Sequence, residues 1–303
     1  MLTRDIAAFL TIARDCAPDF GPATANAAFL VAPDGFGLAV ESASDNRYMA
    51  DAGAFDPARA SEQHRELQRA LSGALPTICF AGDPLTPDAV FPNNVFATAP
   101  GRLIVGRMRH PVRQREATRA DIRQFFCGAL GYAEMDLSAQ PHACELTGSL
   151  VIDRARGLGY CGLSERCDEV GARLMHEAFG LRATLLFDLP PGEYHTNVVM
   201  AVLAGRALLF CPDGFVDPAV VDAIASLYAP HAIPLSPAER AAYAGNAIAV
   251  SPDSVWMSRT AERALGNDAR AALEAAGFAV RSVELDAIEA AGGSLRCCVG
   301  EIF

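Results

Sequence analysis

Two stretches carry side chains that could do chemistry. The first is Ala291-Gly-Gly-Ser-Leu-Arg-Cys297-Cys298-Val-Gly-Glu-Ile-Phe303, in which two glycines lead into two adjacent cysteines. Glycine lets a backbone turn sharply and approach a ligand closely, and a thiolate is a competent nucleophile once its surroundings favour ionisation. The same residues also fit a buried terminal strand with inert thiols, because free cysteine is among the most buried residue types. The second stretch holds Arg107, Arg109, Arg113 and Arg115. It reads either as a solvated face leading into a helix over 119–130 or as a carboxylate-binding cluster, since planar guanidinium forks match carboxylates.

Composition limits what those residues can serve. The 303 residues, 51% hydrophobic and 20% charged, describe an ordinary globular protein. A net charge of -11 argues against nucleic acid and anionic lipid as partners and leaves a small molecule as the expected one. The N-terminus lacks a basic-then-apolar leader and no apolar run reaches membrane-span length, so a cytoplasmic protein is expected. Nine cysteines without a CxxC pair suggest neither a disulfide framework nor a thiolate zinc site. No phosphate-cradling glycine loop is present, so no cofactor and no metal are expected.

The elements that must position these residues recur in one order. After a short leading helix, residues 27–32 read as a strand, 57–75 as a helix with His64 on its solvent face, and 76–80 as a strand. Paired strands follow over 88–98 and 101–106, then the helix over 119–130. A hairpin over 144–153 and 158–166 leads to a helix over 168–179, stopped at Gly180, and a strand over 183–187. The same order returns over 195–203, 207–211, 218–228 and 231–234, and again over 246–250, 254–257, 268–276 and 278–283, before a terminal strand containing Cys297. Strand, strand, helix, strand at a spacing of about fifty residues predicts a single domain, 1–303, built of similar units.

Five short motifs then take on meaning together: Phe91-Pro-Asn-Asn94, Glu145 with Thr147-Gly-Ser149, Gly162-Leu-Ser-Glu-Arg166, His195-Thr-Asn197 and Gly292-Gly-Ser-Leu-Arg-Cys297. In that order the chain resembles the guanidino-group-modifying enzymes of the amidinotransferase superfamily, which include arginine deiminases, dimethylarginine dimethylaminohydrolases, succinylarginine dihydrolases and citrulline ureidases. The resemblance covers most of the chain. It implies an α/β fold, a five-bladed pseudo-symmetric propeller of ββαβ units (the pentein fold). It also implies Cys297 as nucleophile, His195 as general acid and base, and Glu145 as the carboxylate that orients the histidine. Cys298, on the opposite face of a strand, is expected in the core, and His142 and His176 are expected to be structural. By the same resemblance Arg166, and with it Arg113, would clamp a substrate carboxylate, and Asp88 would contact substrate.

Two departures from the family pattern shape the expected substrate. Members acting on guanidinium groups carry a carboxylate where Asn94 stands, and deiminases carry another where Asn197 stands. An amide leaves a cation unpaired in a dry pocket, which is costly, whereas a neutral ureido group needs the donor and acceptor that an amide supplies. The stretch 41–46 also resembles citrulline-utilising hydrolases. The expected reaction is therefore C–N bond hydrolysis of citrulline to ornithine, ammonia and carbon dioxide through an S-carbamoyl enzyme. Asp88 keeps guanidino hydrolysis of arginine, dimethylarginine or acylarginine as the alternative. A catalytically silent propeller that binds an amino acid or a protein is a third reading. A homodimer is compatible with each. On the catalytic readings an activated Cys297 should be alkylated faster than the other eight thiols.

Overall fold

Turn chemistry sets the strand boundaries. In the hairpin Leu150–Asp153 and Leu158–Leu163, Asp153 accepts hydrogen bonds from the backbone N–H groups of Ala155 and Arg156, each at 3.1 Å, and Gly157 closes the turn at φ +70°. The buried Asp153 carboxylate also accepts from Arg156 Nε at 2.7 Å and from Tyr228 Oη at 3.0 Å, so the turn is tied to the next unit. Caps fix the helices equally directly. Asp168 accepts from the Gly171 N–H at the start of Glu169–Phe179, and Gly180 ends that helix in the left-handed region at φ +67°.

The computed structural model describes residues 1–38, 41, 46–49 and 55–303. Their strands form five small mixed sheets. In four of them a hairpin is followed by a crossover to a third strand that pairs in parallel with the second. These are Phe96–Ala99, Arg102–Val105 and Ala133–Asp136; Leu150–Asp153, Leu158–Leu163 and Ala183–Asp188; Met200–Leu203, Ala207–Phe210 and Ala232–Pro234; and Ile248–Ser251, Ser254–Ser258 and Ala279–Val283. The fifth sheet is assembled from both ends of the chain. Gly300–Ile302 lies antiparallel to Ala27–Val31, which runs parallel to Thr77–Phe80. A short edge strand, Leu2–Thr3, joins Ala183–Asp188, and the leading helix is Ile6–Asp15. No helix among the described residues is long and apolar enough to cross a membrane.

Three sequence expectations are corrected here. His64 lies on the buried face of the helix Pro57–Ser72, with 1% of its surface exposed, and burial lowers its pKa to about 4. The segment over 119–130 begins as an α-helix, Ala120–Arg123, and widens to a π-helical turn over Gln124–Ala129. Residues expected to begin long strands instead form single turns of helix or 3-10 helix. These are Pro92–Asn94, Leu146–Ser149, Thr196–Val199 and Leu295–Cys298, each just before the first strand of a sheet. Three or four residues are too few to show a helical period, which is why alternation alone extended the strands through them.

The helix Glu169–Phe179 packs so closely on the segment leading to Glu145 that a Cβ on Gly171 would collide with the Ala143 carbonyl oxygen. Backbone on both sides leaves no flexible atom to yield. Gly171→Ala is expected to destabilise the fold by about 1–3 kcal/mol, read from the midpoint of urea unfolding, despite the higher helix propensity of alanine.

Candidate active site

The four single turns gather at one place. Leu146–Ser149 packs against both Pro92–Asn94 and Thr196–Val199, and Leu295–Cys298 packs against Pro92–Asn94. Glu145 and His195 are the N-cap residues of their turns, Asn94 ends its turn, and Cys297 lies within the last one. Sequence positions 94, 145, 195 and 297 are thereby delivered to a single cluster by elements of the same kind.

At its centre is the Glu145 carboxylate, fully buried. Its Oε1 accepts the Arg109 backbone N–H at 3.0 Å, and its Oε2 lies 2.9 Å from His195 Nε2 and 3.3 Å from Arg166 Nη1. Burial alone would push this carboxyl up, but Arg166, His195 and Arg113 together outweigh it and hold it well below the usual carboxylate range. An ionised carboxylate can only accept, so His195 Nε2 carries the hydrogen and Nδ1 is the basic nitrogen. Nδ1 is buried and has no hydrogen-bond partner among the described residues, and neither has Asn94 Oδ1. The Tyr194 ring covers the imidazole with 4.7 Å between centroids, and Arg166 sits 5.5 Å from the tyrosine ring centroid. Burial lowers the His195 pKa against the upward pull of Glu145, so the imidazole rests neutral.

A small cavity opens beside these groups. It is lined by Asp88, Asn94, Arg113, Arg166, His195 and Cys297, and closed by Phe91, Tyr194 and the backbone of Gly292 and Gly293. The lid of this cavity is held by backbone chemistry. Gly292 lies in the left-handed region at φ +81°, and its carbonyl accepts from Asn46 Nδ2 at 3.1 Å and from Tyr194 Oη. A side chain at Gly293 would meet the Phe91 ring at 2.7 Å. The glycine pair therefore serves close packing over the cavity.

Each expected site residue can now be placed. Cys297, His195, Asn94, Asp88, Arg166 and Arg113 share the cavity, with Glu145 behind His195. Arg113 is also committed to structure. Its Nε and Nη2 make a buried two-pronged ion pair with Glu116, each contact 2.9 Å, and Nη2 further donates to the Phe91 carbonyl at 3.0 Å. Asn197 does not line this cavity. Its Nδ2 donates to the Thr147 carbonyl at 3.1 Å and its Oδ1 faces Asn246, so the pair of amides inferred from sequence is reduced to Asn94. Cys298 is buried, as expected, but the two cysteines share a helical turn and do not alternate across a strand. His142 pairs with Asp168 at 2.9 Å and His176 with Thr184 Oγ1 at 2.8 Å. Within the stretch 41–46, residues 42–45 lie outside the described residues.

Sequence reading missed Asn246, whose Nδ2 lies 3.4 Å from Cys297 Sγ, and it missed Tyr194 and Asn46. Two of these left a signal: Asn246 stands just before the first strand of its unit as Asn94 does in another, and Asn46 ends the stretch 41–46. Burial pushes the Cys297 thiol up, and the Ser294 backbone, Asn246, Arg296 and Arg113 only partly offset it. The resting site thus holds a neutral thiol, a neutral imidazole and an ionised carboxylate. Such a set can pass the thiol proton to His195 Nδ1 when a ligand makes negative sulfur favourable.

Comparison with known proteins identifies the fold and the family. The N-terminal domain of ArgZ, an arginine dihydrolase from the ornithine-ammonia cycle in cyanobacteria, solved bound to substrate, superposes with a TM-score of 0.79 at 21% identity over 91% of this chain and 97% of that one. A dimethylarginine dimethylaminohydrolase solved as an adduct with S-methyl-L-thiocitrulline gives 0.71 at 21% identity, covering 92% of this chain and 100% of that one. The chain therefore has the α/β fold of these structures. Within it, the chain belongs to the eukaryotic-type N,N dimethylarginine dimethylhydrolase family, whose model matches residues 32–303. The N(G),N(G)-dimethylarginine dimethylaminohydrolase of Mycobacterium tuberculosis is 28% identical over 216 residues, which is 71% of this chain but only 66% of that relative.

Gly148 offers a test of the cluster. A Cβ there would stand 2.5 Å from Asn94 Oδ1 and 2.8 Å from His195 Nδ1. Gly148→Ala is expected to displace both groups and lower kcat by at least a hundredfold, with a melting temperature within a few degrees of wild type. Unchanged kcat would mean that the placement of these two groups is not critical.

Proposed function

We propose that the protein is a cysteine-dependent hydrolase that cleaves a C–N bond at the guanidino carbon of an arginine-like amino acid. The observation that carries this reading is the shared cavity of Cys297, His195 and the buried Asp88. Asp88 supplies the anionic partner a guanidinium requires, and Arg166 and Arg113 supply cations for an amino-acid carboxylate. A resting thiol also favours a cationic substrate, because positive charge beside the sulfur promotes its ionisation. The family supports the same chemistry, and the ArgZ domain has been solved covalently bound to a reaction intermediate.

The reaction runs through two displacements at one carbon. As Cys297 Sγ bonds to the guanidino carbon, its proton passes to His195 Nδ1. The C–N bond to the leaving group breaks as His195 returns that proton to nitrogen, releasing ammonia or an alkylamine and leaving an S-linked isothiouronium. Water then loses a proton to His195 and adds to the carbon. Cleavage of the C–S bond returns the thiol and frees the ureido product. Glu145 holds the imidazole throughout. On this reading the five sheets are the blades of a propeller with the cavity on its axis, and a reducing cytoplasmic setting suits the free thiol.

Asn94 favours a second reading, in which the ureido compound is itself hydrolysed. One amide end accepts from N–H and the other donates to a carbonyl oxygen, so this residue can hold a neutral ureido group as well. Attack on citrulline would expel ammonia and leave an S-carbamoyl enzyme. Its hydrolysis gives a carbamate that falls to carbon dioxide and ornithine.

A panel of arginine, methylated arginines and citrulline, with ammonia or amine release and products identified, tests both readings. Cys297→Ser is expected to abolish release from every compound that wild type turns over. Asp88→Asn should lower kcat/KM for cationic substrates at least tenfold more than for citrulline, about 1.4 kcal/mol, and Asn94→Asp should move the ratio the other way. Turnover retained in Cys297→Ser would remove the covalent mechanism. Equal losses on both substrate types in Asp88→Asn would remove its role as counter-charge.

A further inference from the structure

The repeat leaves one unit without a part in the chemistry. Four of the five first strands are preceded by a residue already placed at the site: Asn94, Glu145, His195 and Cys297. Before the remaining one, Ile248–Ser251, stands Asn246, two residues ahead of its strand just as Asn94 is two residues ahead of Phe96–Ala99. Asn246 is fully buried.

Its hydrogen bonds fix which way the amide points. Oδ1 accepts from the Arg296 backbone N–H at 3.0 Å. A backbone N–H can only donate, so the oxygen end belongs there and the NH2 end faces the opposite side. That end has two hydrogens and three acceptors within reach: the Asn197 carbonyl oxygen at 2.9 Å, Asn197 Oδ1 at 3.4 Å and Cys297 Sγ at 3.4 Å. One side chain thus grips both the backbone N–H of Arg296, the residue before Cys297, and the sulfur itself. The sulfur is approached by the positive end of a locked dipole, the geometry that stabilises charge developing on an anion.

We propose that Asn246 is a further catalytic residue of this site, donating an N–H hydrogen bond to the Cys297 sulfur that directs it and stabilises its negative charge as the thiolate forms. The inference rests on the reading of Cys297 as nucleophile. The other titratable and charged groups around the sulfur are His195, Tyr194, Tyr243 and the Cys298 thiol, the cations Arg113, Arg166 and Arg296, and Asp88. None of them is removed by substitution at 246.

The test follows alkylation of Cys297 by iodoacetamide across a pH series, resolved by peptide mass spectrometry, in wild type and Asn246→Asp. Aspartate keeps the acceptor for the Arg296 N–H and turns the donor facing sulfur into an acceptor. The expected result is a midpoint at least one pH unit higher and a neutral-pH rate at least tenfold lower. Aspartate also brings a negative charge beside the sulfur, which by itself disfavours the thiolate, so Asn246→Ser, uncharged and too short to reach the sulfur, is measured alongside and decides the outcome with the same expected direction. A midpoint within 0.3 pH unit of wild type, or a rate within twofold, in a folded variant overturns the proposal. Alkylation needs no substrate, so failure of wild type to hydrolyse any guanidino or ureido compound would defeat the proposed function and leave this result standing.

Discussion

The site depends on one buried carboxylate that stays charged. Glu145 has no solvent contact, and removing an ion from water is costly unless its oxygens find donors and opposite charge. Here they find three donors from three parts of the chain: the Arg109 backbone, the His195 ring and the Arg166 guanidinium. Those bonds fix the histidine tautomer, place two neighbouring elements against the turn Leu146–Ser149, and bring a cation to the edge of the cavity. Removing any one would leave a buried charge under-satisfied, so the electrostatics of the site and the packing of its elements cannot be varied separately.

The second constraint is closure of the chain on itself. The last strand, Gly300–Ile302, completes the sheet begun by Ala27–Val31, and the turn that carries Cys297 comes immediately before it. Pairing of Ala27–Val31 with the last strand therefore sets the depth at which the sulfur enters the cavity. Thr98 reinforces that pairing from the neighbouring sheet, donating to the Glu301 carbonyl at 2.9 Å and accepting from the Phe303 N–H at 3.0 Å. A residue nearly three hundred positions from the N-terminus is thereby held against groups from 88 to 195.

The resting charges suit a reaction that starts only when the cavity is filled. Thiol and imidazole are both neutral because burial disfavours charge on either, while Asp88 and the arginines bring both signs of charge to the cavity wall. On the proposed function, substrate supplies the positive charge that makes proton transfer from sulfur to His195 favourable. Desolvation, which protects the idle thiol from ionising, then strengthens every attraction the bound cation makes.

Much of this was legible in the residues. The order strand, strand, helix, strand is written in alternation, glycines and caps, because local backbone preferences dictate it. The motifs around Asn94, Glu145, His195 and Cys297 stand out because each joins reactive side chains to turn-forming residues. Other features depended on distance in sequence. Asn197 stands two residues after His195, yet its amide is taken up by Thr147 and Asn246, because a helical turn and not a strand separates the two side chains. His64 sits on a helix whose polar composition suggests solvent, and the packing of that helix buries it. Asn246 gained meaning only when Arg296 and Cys297 arrived beside it. The sequence by itself determined the units, their order and the chemical types at each turn. The tertiary structure decided which turns meet, which amide faces the cavity and which thiol and imidazole stay neutral, because hydrogen-bond partners and loss of water are properties of neighbours that only the folded chain brings together.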